Sequence, residues 1–221
     1  MKYSIIVAGG SGSRMKSDMP KQFLSIAGKP IIIITLEKFL SVKDNTVILV
    51  LPKNLFDYWE NLKSGFSKDI QNVQVVEGGK TRFQSVKNGL KAITADDGLV
   101  AVHDAVRPFV SVETIEKTFE TALQLQSAVV YVDSKDSIRM LTTNGNEAVD
   151  RSKIKIIQTP QTFDLKLLKE AYLLEEKSTF TDDASVFEDF GKTIHLVEGD
   201  YSNIKITTPE DIALAEFLMT F

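Results

Sequence analysis

The sequence contains no cysteine, so a disulfide framework, a zinc-thiolate site and a thiol nucleophile are all excluded. It also has no hydrophobic run approaching the ~20 residues that cross a membrane. The formal net charge of -4 argues against nucleic-acid binding, which needs a surplus of lysine and arginine. No secretory signal pattern is visible, and we therefore expect a cytoplasmic protein that binds neither nucleic acid nor a membrane.

What the chain does contain is an ordinary globular composition. Its 221 residues are 43% hydrophobic and 25% charged. A chain of this length can bury most of its apolar surface without a disulfide or a structural metal. Neither an interdomain linker nor an internal repeat is visible, and we predict a single domain over residues 1–221.

Short apolar runs alternate with segments of helical period, and the runs are rich in the valine, isoleucine and leucine of strands buried on both faces. This alternation predicts an α/β fold, with an open, mostly parallel sheet and helices on both faces. The predicted strands are Tyr3–Ala8, Thr46–Leu51, Val73–Val76, Leu99–His103, Ala128–Val132, Thr193–Val197 and Asn203–Ile206. The predicted helices are Asp57–Phe66, Thr81–Ile93 and Val112–Leu125, one beginning near Ile31, and two opened by Thr181 and Thr208.

The region from about residue 136 to 158 has a different character. Two stretches able to form strands flank Asn144-Gly145, a dipeptide typical of a type I′ hairpin turn. An isolated two-stranded hairpin is marginally stable in water. We therefore expect an inserted β-hairpin arm that packs against a second subunit in a homodimer, and the alternative is an ordinary surface hairpin.

The first predicted strand runs directly into the segment Gly9-Gly-Ser-Gly-Ser-Arg14. Glycines let the backbone approach a ligand closely and point amide groups at it. No Gly-Lys-Ser/Thr sequence follows, so the segment is not a P-loop. It also fits a dinucleotide fingerprint poorly, because Met15 occupies the position of the third small residue. Two interpretations remain. The first is a nucleoside triphosphate site supported by Arg14, Lys16 and Lys21, and the second is a simple glycine turn with solvated cations.

The chemistry of nucleotidyl transfer favours the triphosphate site. Negative charge develops on the α-phosphate oxygens and on the departing pyrophosphate, so the catalyst mainly positions the reactants and stabilises that charge. Arginine can bind phosphate through two hydrogen bonds, whereas lysine acts as a compact point charge. Both occur here within one short segment, at Arg14 and Lys21.

The whole chain resembles the 2-C-methyl-D-erythritol 4-phosphate cytidylyltransferase family. The resemblance rests on motifs that occur in the same order from Ile6 onwards. These motifs are Ala8-Gly-Gly-Ser-Gly-Ser-Arg-Met, Pro20-Lys-Gln-Phe, Glu77-Gly-Gly-Lys-Thr-Arg-Phe-Gln-Ser-Val, His103-Asp-Ala-Val-Arg-Pro, Asp150-Arg, Gln158-Thr-Pro-Gln, Thr181-Asp-Asp-Ala-Ser and Asn203-Ile-Lys-Ile-Thr-Thr-Pro-Glu-Asp. The resemblance implies a Rossmann-like fold of the nucleotide-diphospho-sugar transferase type.

The resemblance also implies roles for particular residues. The expected catalytic residues are Arg14, Lys21, Arg151 and Lys205, with Arg151 reaching from the hairpin into the site of a neighbouring subunit. The expected CTP-binding residues are Ala8, Gly9, Gly10, Gly12, Gly79, Arg82, Ser85, Asp104 and Ala105. The expected polyol-phosphate-binding residues are Arg107, Ser137, Arg151, Thr181 and Lys205. Mg²⁺ is expected to bind mainly through the CTP phosphates, with Asp104 the acidic group nearest to it.

The sequence departs from the family pattern at two positions, since Lys80 stands where an acidic residue is common and Ser137 replaces a more usual threonine. A ribitol-5-phosphate cytidylyltransferase shares the glycine segment and the sequence around His103, and is the closest alternative. The segments around Arg151 and Thr181 favour methylerythritol phosphate. A hexose-1-phosphate nucleotidyltransferase, a non-catalytic nucleotide-binding module and a dehydrogenase are the more distant alternatives.

We predict that Lys21→Ala lowers turnover by orders of magnitude while leaving the fold intact, because it removes a cation that stabilises the transition state. Pyrophosphate release from CTP and polyol phosphate measures the turnover, and circular dichroism verifies the fold. Turnover close to that of the wild type would contradict the role assigned to Lys21.

Overall fold

The computed structural model describes residues 1–9 and 19–220. The predicted site residues Gly10, Gly12 and Arg14, together with Lys16, lie outside the described residues. The described strands are β1 (Lys2–Val7), β2 (Ser25–Ile26), β3 (Lys29–Pro30), β4 (Asn45–Leu51), β5 (Gln74–Glu77), β6 (Leu99–Asp104), β7 (Ser127–Asp133), β8 (Ile138–Thr142), β9 (Gly145–Val149), β10 (Lys155–Asp164) and β11 (Leu196–Glu198). The described helices are α1 (Ile31–Leu40), α2 (Phe56–Lys63), α3 (Lys68–Gln71), α4 (Arg82–Ala92), α5 (Val112–Leu125), α6 (Leu165–Ala171), α7 (Asp183–Asp189) and α8 (Pro209–Leu218).

Within the described residues, seven strands form one central sheet in the order β11-β7-β10-β6-β1-β4-β5. β1 pairs in parallel with β4 and β6, β4 with β5, and β7 with β11, whereas β10 pairs antiparallel with both β6 and β7. All of these strands except β10 therefore run in the same direction. The sheet confirms the predicted open, mostly parallel α/β fold.

The core lies on both faces of the sheet, as continuous apolar strands predict. Ile6 of β1 packs in a cluster with Phe39 of α1 and Phe119 of α5. Its neighbour Ile5 packs in the cluster on the opposite face, with Phe83 of α4. Successive side chains of a strand point to opposite faces, so one short strand supports both layers of helices.

Two predictions of secondary structure are wrong. Asn203–Ile206 is not a strand. The Asn203 side chain donates to the Gln158 side chain and to the Thr159 carbonyl, and these bonds attach the segment to β10 in place of strand pairing. Lys155–Gln158, assigned to the hairpin arm, belongs to β10 and thus to the central sheet. β11 also begins three residues later than the strand predicted from Thr193.

The hairpin of β8 and β9 forms a separate two-stranded sheet, but its turn differs from the prediction. Thr142 pairs with Gly145, so the turn residues are Thr143 and Asn144. A type I′ turn needs positive φ at both, whereas the described non-glycine residues with positive φ are Ala27, Asp44 and Gln126. A β-branched threonine resists positive φ, and the turn instead leaves Gly145 at a φ of 135°.

No helix among the described residues is both long enough and apolar enough to cross a membrane.

Candidate active site

A cavity of about 260 Å³ opens at the edge of the sheet where β1 and β6 end, beside the first turn of α4. Open α/β sheets commonly bind ligands at the carboxyl ends of their strands. The described residues that line the cavity are Val7, Ala8, Gly9, Lys21, Gln22, Gly79, Lys80, Thr81, Arg82, Ser85, Asp104, Val106 and Lys205.

The parallel register of the two central strands aligns the two walls of this cavity. Val7, the last residue of β1, lies opposite Asp104, the last residue of β6. The chain beyond β1 then continues as Ala8, whose amide donates to the Val50 carbonyl at 2.9 Å. Ala8 and Gly9 therefore leave the sheet beside Asp104.

Three cationic side chains converge on Asp104. Lys205 Nζ lies 2.8 Å from Asp104 Oδ2, and Arg107 Nε lies 3.6 Å from the same oxygen. Arg82 Nε lies 3.9 Å from Oδ1. The Asp104 amide is also fixed, because it donates to Thr159 Oγ1 at 3.1 Å. One buried carboxylate thus organises a positively charged cluster at the strand end.

The pKa of Asp104 reflects this arrangement. Burial by itself raises the pKa, but the charges of Arg82 and Lys205, the hydrogen bond from Lys205 and the charge of Arg107 outweigh it and hold the pKa well below its usual value. Asp104 is therefore ionised at neutral pH. The three cations still outnumber the two carboxylates that pair with them, Asp104 and Asp183, and such an excess of positive charge suits an anionic ligand.

Arg82 enters the cavity from the first position of α4, after the cap residue Thr81. Its Nη2 atom lies 2.5 Å from Oδ2 of the fully buried Asp183. Burial disfavours the charged guanidinium, but the carboxylates of Asp183 and Asp104 overcome that effect and raise the pKa of Arg82 above its usual value.

Glycine and small polar residues form the wall of the cavity beside the first turn of α4. Ser85 Oγ accepts from the Gly79 amide at 3.1 Å and donates to the Thr81 carbonyl at 2.8 Å, closing the loop onto α4. A Cβ atom at Gly79 would lie 2.2 Å from Gln84 Cβ, so this close approach requires glycine. The wall is therefore shaped by backbone rather than by bulky side chains.

Lys21 and Gln22 form the floor beside the end of β1. Both are buried, in a 3-10 turn that follows Pro20. Lys21 Nζ donates to the Ile206 carbonyl at 3.1 Å, and Gln22 Nε2 donates to the Ala8 carbonyl at 2.8 Å. These bonds connect the start of the chain to the loop that carries Lys205.

Of the described residues predicted from the sequence, the cavity brings together Ala8, Gly9, Lys21, Gly79, Arg82, Ser85, Asp104 and Lys205. Arg107 lies just behind it, where Nη1 donates to the Asn203 carbonyl at 2.8 Å. Ala105 is fully buried, its amide donating to the Val7 carbonyl and its carbonyl accepting from Thr35.

Three further predicted residues are also absent from the cavity lining and lie at the surface of the chain. Thr181 and Ser137 are both exposed, the first before α7 and the second before β8. Arg151 is exposed in the 3-10 turn after the hairpin, where its Nη1 donates to the Lys135 carbonyl at 2.6 Å. Within a single chain, the predicted site residues of the hairpin region, Ser137 and Arg151, are thus separate from the cavity.

Sequence reasoning assigned no role to several residues that support the site. Thr159 and Asn203 hold the backbones that carry Asp104 and Lys205, and Asp183 holds Arg82. All three lie within motifs that were noted in the sequence. Their partners, however, are 44 to 101 positions away, and no local pattern could reveal these pairings.

His103 is fully buried directly before Asp104, and its Nε2 donates to the Arg107 carbonyl at 3.0 Å. Its ring packs on Phe39, with the centroids 4.7 Å apart. Burial lowers the pKa of His103 to about 4. These contacts make His103 a packed core residue, and its neutral ring supports the turn from Asp104 to Arg107.

A cationic cavity at the carboxyl edge of a mostly parallel sheet is typical of α/β proteins that bind phosphorylated ligands. The chain belongs to the 2-C-methyl-D-erythritol 4-phosphate cytidylyltransferase family, whose sequence model matches residues 3–221. This membership confirms the resemblance drawn from the motifs.

Individual relatives match over almost the entire chain. The 2-C-methyl-D-erythritol 4-phosphate cytidylyltransferase of Bacteroides thetaiotaomicron is 48% identical, covering 99% of this chain and 100% of the relative. The Bacteroides fragilis protein of the same name is 47% identical, covering 98% of each chain. The crystal structure of 4-diphosphocytidyl-2C-methyl-D-erythritol synthase from Anaerococcus prevotii superposes with a TM-score of 0.85 at 34% identity, covering 99% of this chain and 96% of that one.

We predict that the stability of the protein falls as the pH drops from about 6.5 to about 4, in part because of His103. Its pKa is about 4 in the folded protein, below the ordinary 6.5. The unfolded chain therefore binds more protons in this window, and the full stabilisation present above pH 6.5 declines by on the order of 3 kcal/mol. Urea unfolding across this pH range measures the effect.

His103→Gln should remove this part of the pH dependence, since glutamine keeps a donor for the Arg107 carbonyl but does not titrate. His195→Gln changes the other histidine of the chain and is the matched control for losing an imidazole. Equal slopes for the wild type and His103→Gln would contradict the prediction.

Proposed function

We propose that this chain is a nucleotidyltransferase that transfers the cytidylyl group of CTP to 2-C-methyl-D-erythritol 4-phosphate. The products are 4-diphosphocytidyl-2-C-methyl-D-erythritol and pyrophosphate, in non-mevalonate isoprenoid precursor biosynthesis. The observation that carries the proposal is the convergence of Arg82, Arg107 and Lys205 on Asp104, at a cavity in a chain matched by this family over residues 3–221.

The reaction is an in-line displacement at the α-phosphorus of CTP. An oxygen of the polyol phosphate forms the new bond, and the bond to the bridging oxygen breaks with its electron pair going to pyrophosphate. A phosphate monoester has its second pKa near ~6 and is largely dianionic at neutral pH. The nucleophile therefore needs no general base, and the protein contributes positioning and positive charge.

In this proposal the nucleotide occupies the glycine-lined end of the cavity. Arg14 and Lys21 bind the triphosphate and stabilise the charge that develops at the α-phosphorus. The groups proposed to hold the remainder of CTP are Ala8, Gly9, Gly10, Gly12, Gly79, Arg82, Ser85, Asp104 and Ala105. The support is the cavity wall formed by Gly79 and Ser85, where the Gly79 amide donates to Ser85 Oγ and the loop packs closely on Gln84.

The polyol phosphate occupies the other end, near Lys205. Lys205 orients the attacking phosphate, and Arg107 adds positive charge behind it. Ser137, Arg151 and Thr181 contact the polyol phosphate when the site is assembled. The support for Lys205 is its position, since its half-exposed side chain lines the cavity and its ammonium is held by Asp104.

The residues present fit a magnesium ion that is bound mainly through phosphates. Among the described residues, the cavity lining contains one carboxylate, Asp104. Its Oδ2 binds Lys205, while its Oδ1 faces Arg82 at 3.9 Å, too far for a hydrogen bond. No cluster of three or more histidine or acidic residues able to hold a metal occurs in the described part of the chain. Mg²⁺ commonly uses one or two carboxylates together with substrate phosphates. When bound, it would neutralise charge on the triphosphate.

We propose further that residues 1–221 work as one nucleotidyltransferase domain and that the hairpin is the dimerisation arm. Met140 and Leu141 of β8 are 52% and 85% exposed, which is unfavourable in water for a hairpin with no core of its own. Arg151 lies at the base of this arm, and one bond to Lys135 leaves several of its donors available. A partner subunit would cover the arm and receive Arg151.

The substrates indicate where the reaction takes place. CTP and a polyol phosphate both carry several negative charges, which an apolar bilayer excludes. We therefore propose a cytoplasmic enzyme.

The function is tested by offering 2-C-methyl-D-erythritol 4-phosphate and ribitol 5-phosphate in parallel, each with CTP and Mg²⁺. We expect pyrophosphate release with the first substrate and little with the second. Faster release with ribitol 5-phosphate would overturn the choice of polyol. Release that is absent, or independent of either polyol, would overturn the transfer reaction itself.

We predict that the protein sediments as a dimer and that Arg151 acts in the neighbouring site. Lys21→Ala and Arg151→Ala homodimers should both be almost inactive, but mixing them allows subunits to exchange. Half of the resulting dimers would be mixed, each with one intact site, so activity should recover to about a quarter of the wild type. No recovery after verified exchange, or a fully active monomer, would contradict action across the interface.

A further inference from the structure

A second carboxylate, Asp183, lies behind the cavity and is fully buried at the first position of α7. Both of its oxygens have close partners. Oδ1 accepts from the hydroxyl of Tyr172 at 2.6 Å, and Oδ2 lies 2.5 Å from Nη2 of Arg82. A buried carboxylate is stabilised only by such pairing, so this arrangement holds the side chains in one geometry.

The turn that carries Asp183 is fixed to the sheet on both sides. Gln161 of β10 donates to the Asp182 carboxylate and accepts from the Ala184 amide, each at 2.9 Å. Asp182 in turn caps α7 by accepting from the Ser185 amide at 2.9 Å. Asp183 is therefore held by the sheet, and its position does not depend on Arg82 alone.

Arg82 lies between this fixed carboxylate and the cavity. Its Nη2 pairs closely with Asp183, whereas its Nε is 3.9 Å from Asp104. The Asp104 carboxylate is already shared by Lys205 and Arg107. If Asp183 lost its charge, the nearest remaining carboxylate for Arg82 would be Asp104, and the guanidinium would be drawn toward the centre of the cation cluster.

We propose that Asp183, braced by Tyr172, is a positioning residue that holds the Arg82 guanidinium at the nucleotide end of the cavity. The proposal rests on the function proposed above, in which Arg82 contacts CTP. Asp183 itself does not line the cavity and acts through Arg82. Arg82 and Asp183, at the starts of α4 and α7, are 101 positions apart in the sequence. Their contact therefore also connects the Gly79 loop to the segment around Thr181.

The test compares Asp183→Asn and Tyr172→Phe with the wild type. Asparagine keeps the size of the side chain but loses the charge that pairs with Arg82. We expect Asp183→Asn to weaken CTP binding and raise the KM for CTP about tenfold, with the KM for the polyol phosphate within about twofold. Tyr172→Phe removes one hydrogen bond to Asp183 and should give a smaller change in the same direction. Calorimetric titration with CTP and steady-state kinetics measure these effects.

Val186→Ala is the matched structural control, because Val186 is a buried residue of the same helix, α7, that packs in the core. It should lower the melting temperature without changing the KM for CTP. Arg82→Gln provides the second comparison. If Asp183 acts through Arg82, Asp183→Asn should weaken CTP binding no further in the Arg82→Gln background.

The outcomes separate this inference from the proposed function. If the wild type binds CTP and both Asp183→Asn and Tyr172→Phe bind it equally well, the positioning role of Asp183 is overturned while the proposed function stands. Additive losses from Arg82→Gln and Asp183→Asn overturn it as well. If Asp183→Asn does not fold, Tyr172→Phe decides by the same measurement. A wild type that binds no CTP overturns both proposals.

Discussion

The site depends on one buried carboxylate at the end of a central strand. Asp104 is placed by the pairing of β6 with β1, and the Thr159 hydroxyl holds its amide. Placing a carboxylate there allows Arg82, Arg107 and Lys205 to approach one another without prohibitive repulsion. Removing one partner from such a buried group of charges commonly costs about 3–5 kcal/mol, because the others are left uncompensated. The cluster is therefore part of the architecture as well as part of the site.

The antiparallel strand β10 connects this cluster to the remainder of the molecule. Thr159 holds Asp104 from one position of the strand, and Gln161 holds the first turn of α7 from another. Gln158 and the Thr159 carbonyl accept from Asn203, which fixes the loop leading to Lys205. A strand that contributes little to the cavity lining thus determines where several of the charged residues stand.

The proposed reaction requires charged groups held in position rather than a covalent intermediate with the protein, and the arrangement of the site agrees with this requirement. Catalysis of phosphoryl and nucleotidyl transfer depends on charges that are in place before the substrate arrives. Here the cations are held by the buried carboxylates of Asp104 and Asp183 and by backbone carbonyls of the loop that carries Lys205. The hairpin is different, since it forms a separate two-stranded sheet with apolar side chains exposed and Arg151 at its base.

The sequence predicted the features that follow local rules. The apolar runs predicted β1, β4, β5, β6 and β7, because buried parallel strands must be apolar on both faces. The order of the motifs identified the family, and eight described site residues line one cavity as the carboxyl-edge rule leads one to expect.

The failures have physical reasons of their own. The prediction of a type I′ turn at Asn144-Gly145 is wrong because the turn residues are Thr143 and Asn144, and a β-branched threonine resists the positive φ that this turn needs. Asn203–Ile206 has the composition of a strand, but side-chain bonds to β10 take the place of a ladder.

By itself, then, the sequence determined the fold class, the family and the identity of most of the charged residues, because these follow from periodicity and from motif order. Only the tertiary structure decided how those charges are arranged. It brought Asp183 to Arg82 across 101 positions, and it left Arg151 outside the cavity of its own chain. Pairings of this kind depend on how the sheet brings distant segments to one edge, and no local pattern of residues records them.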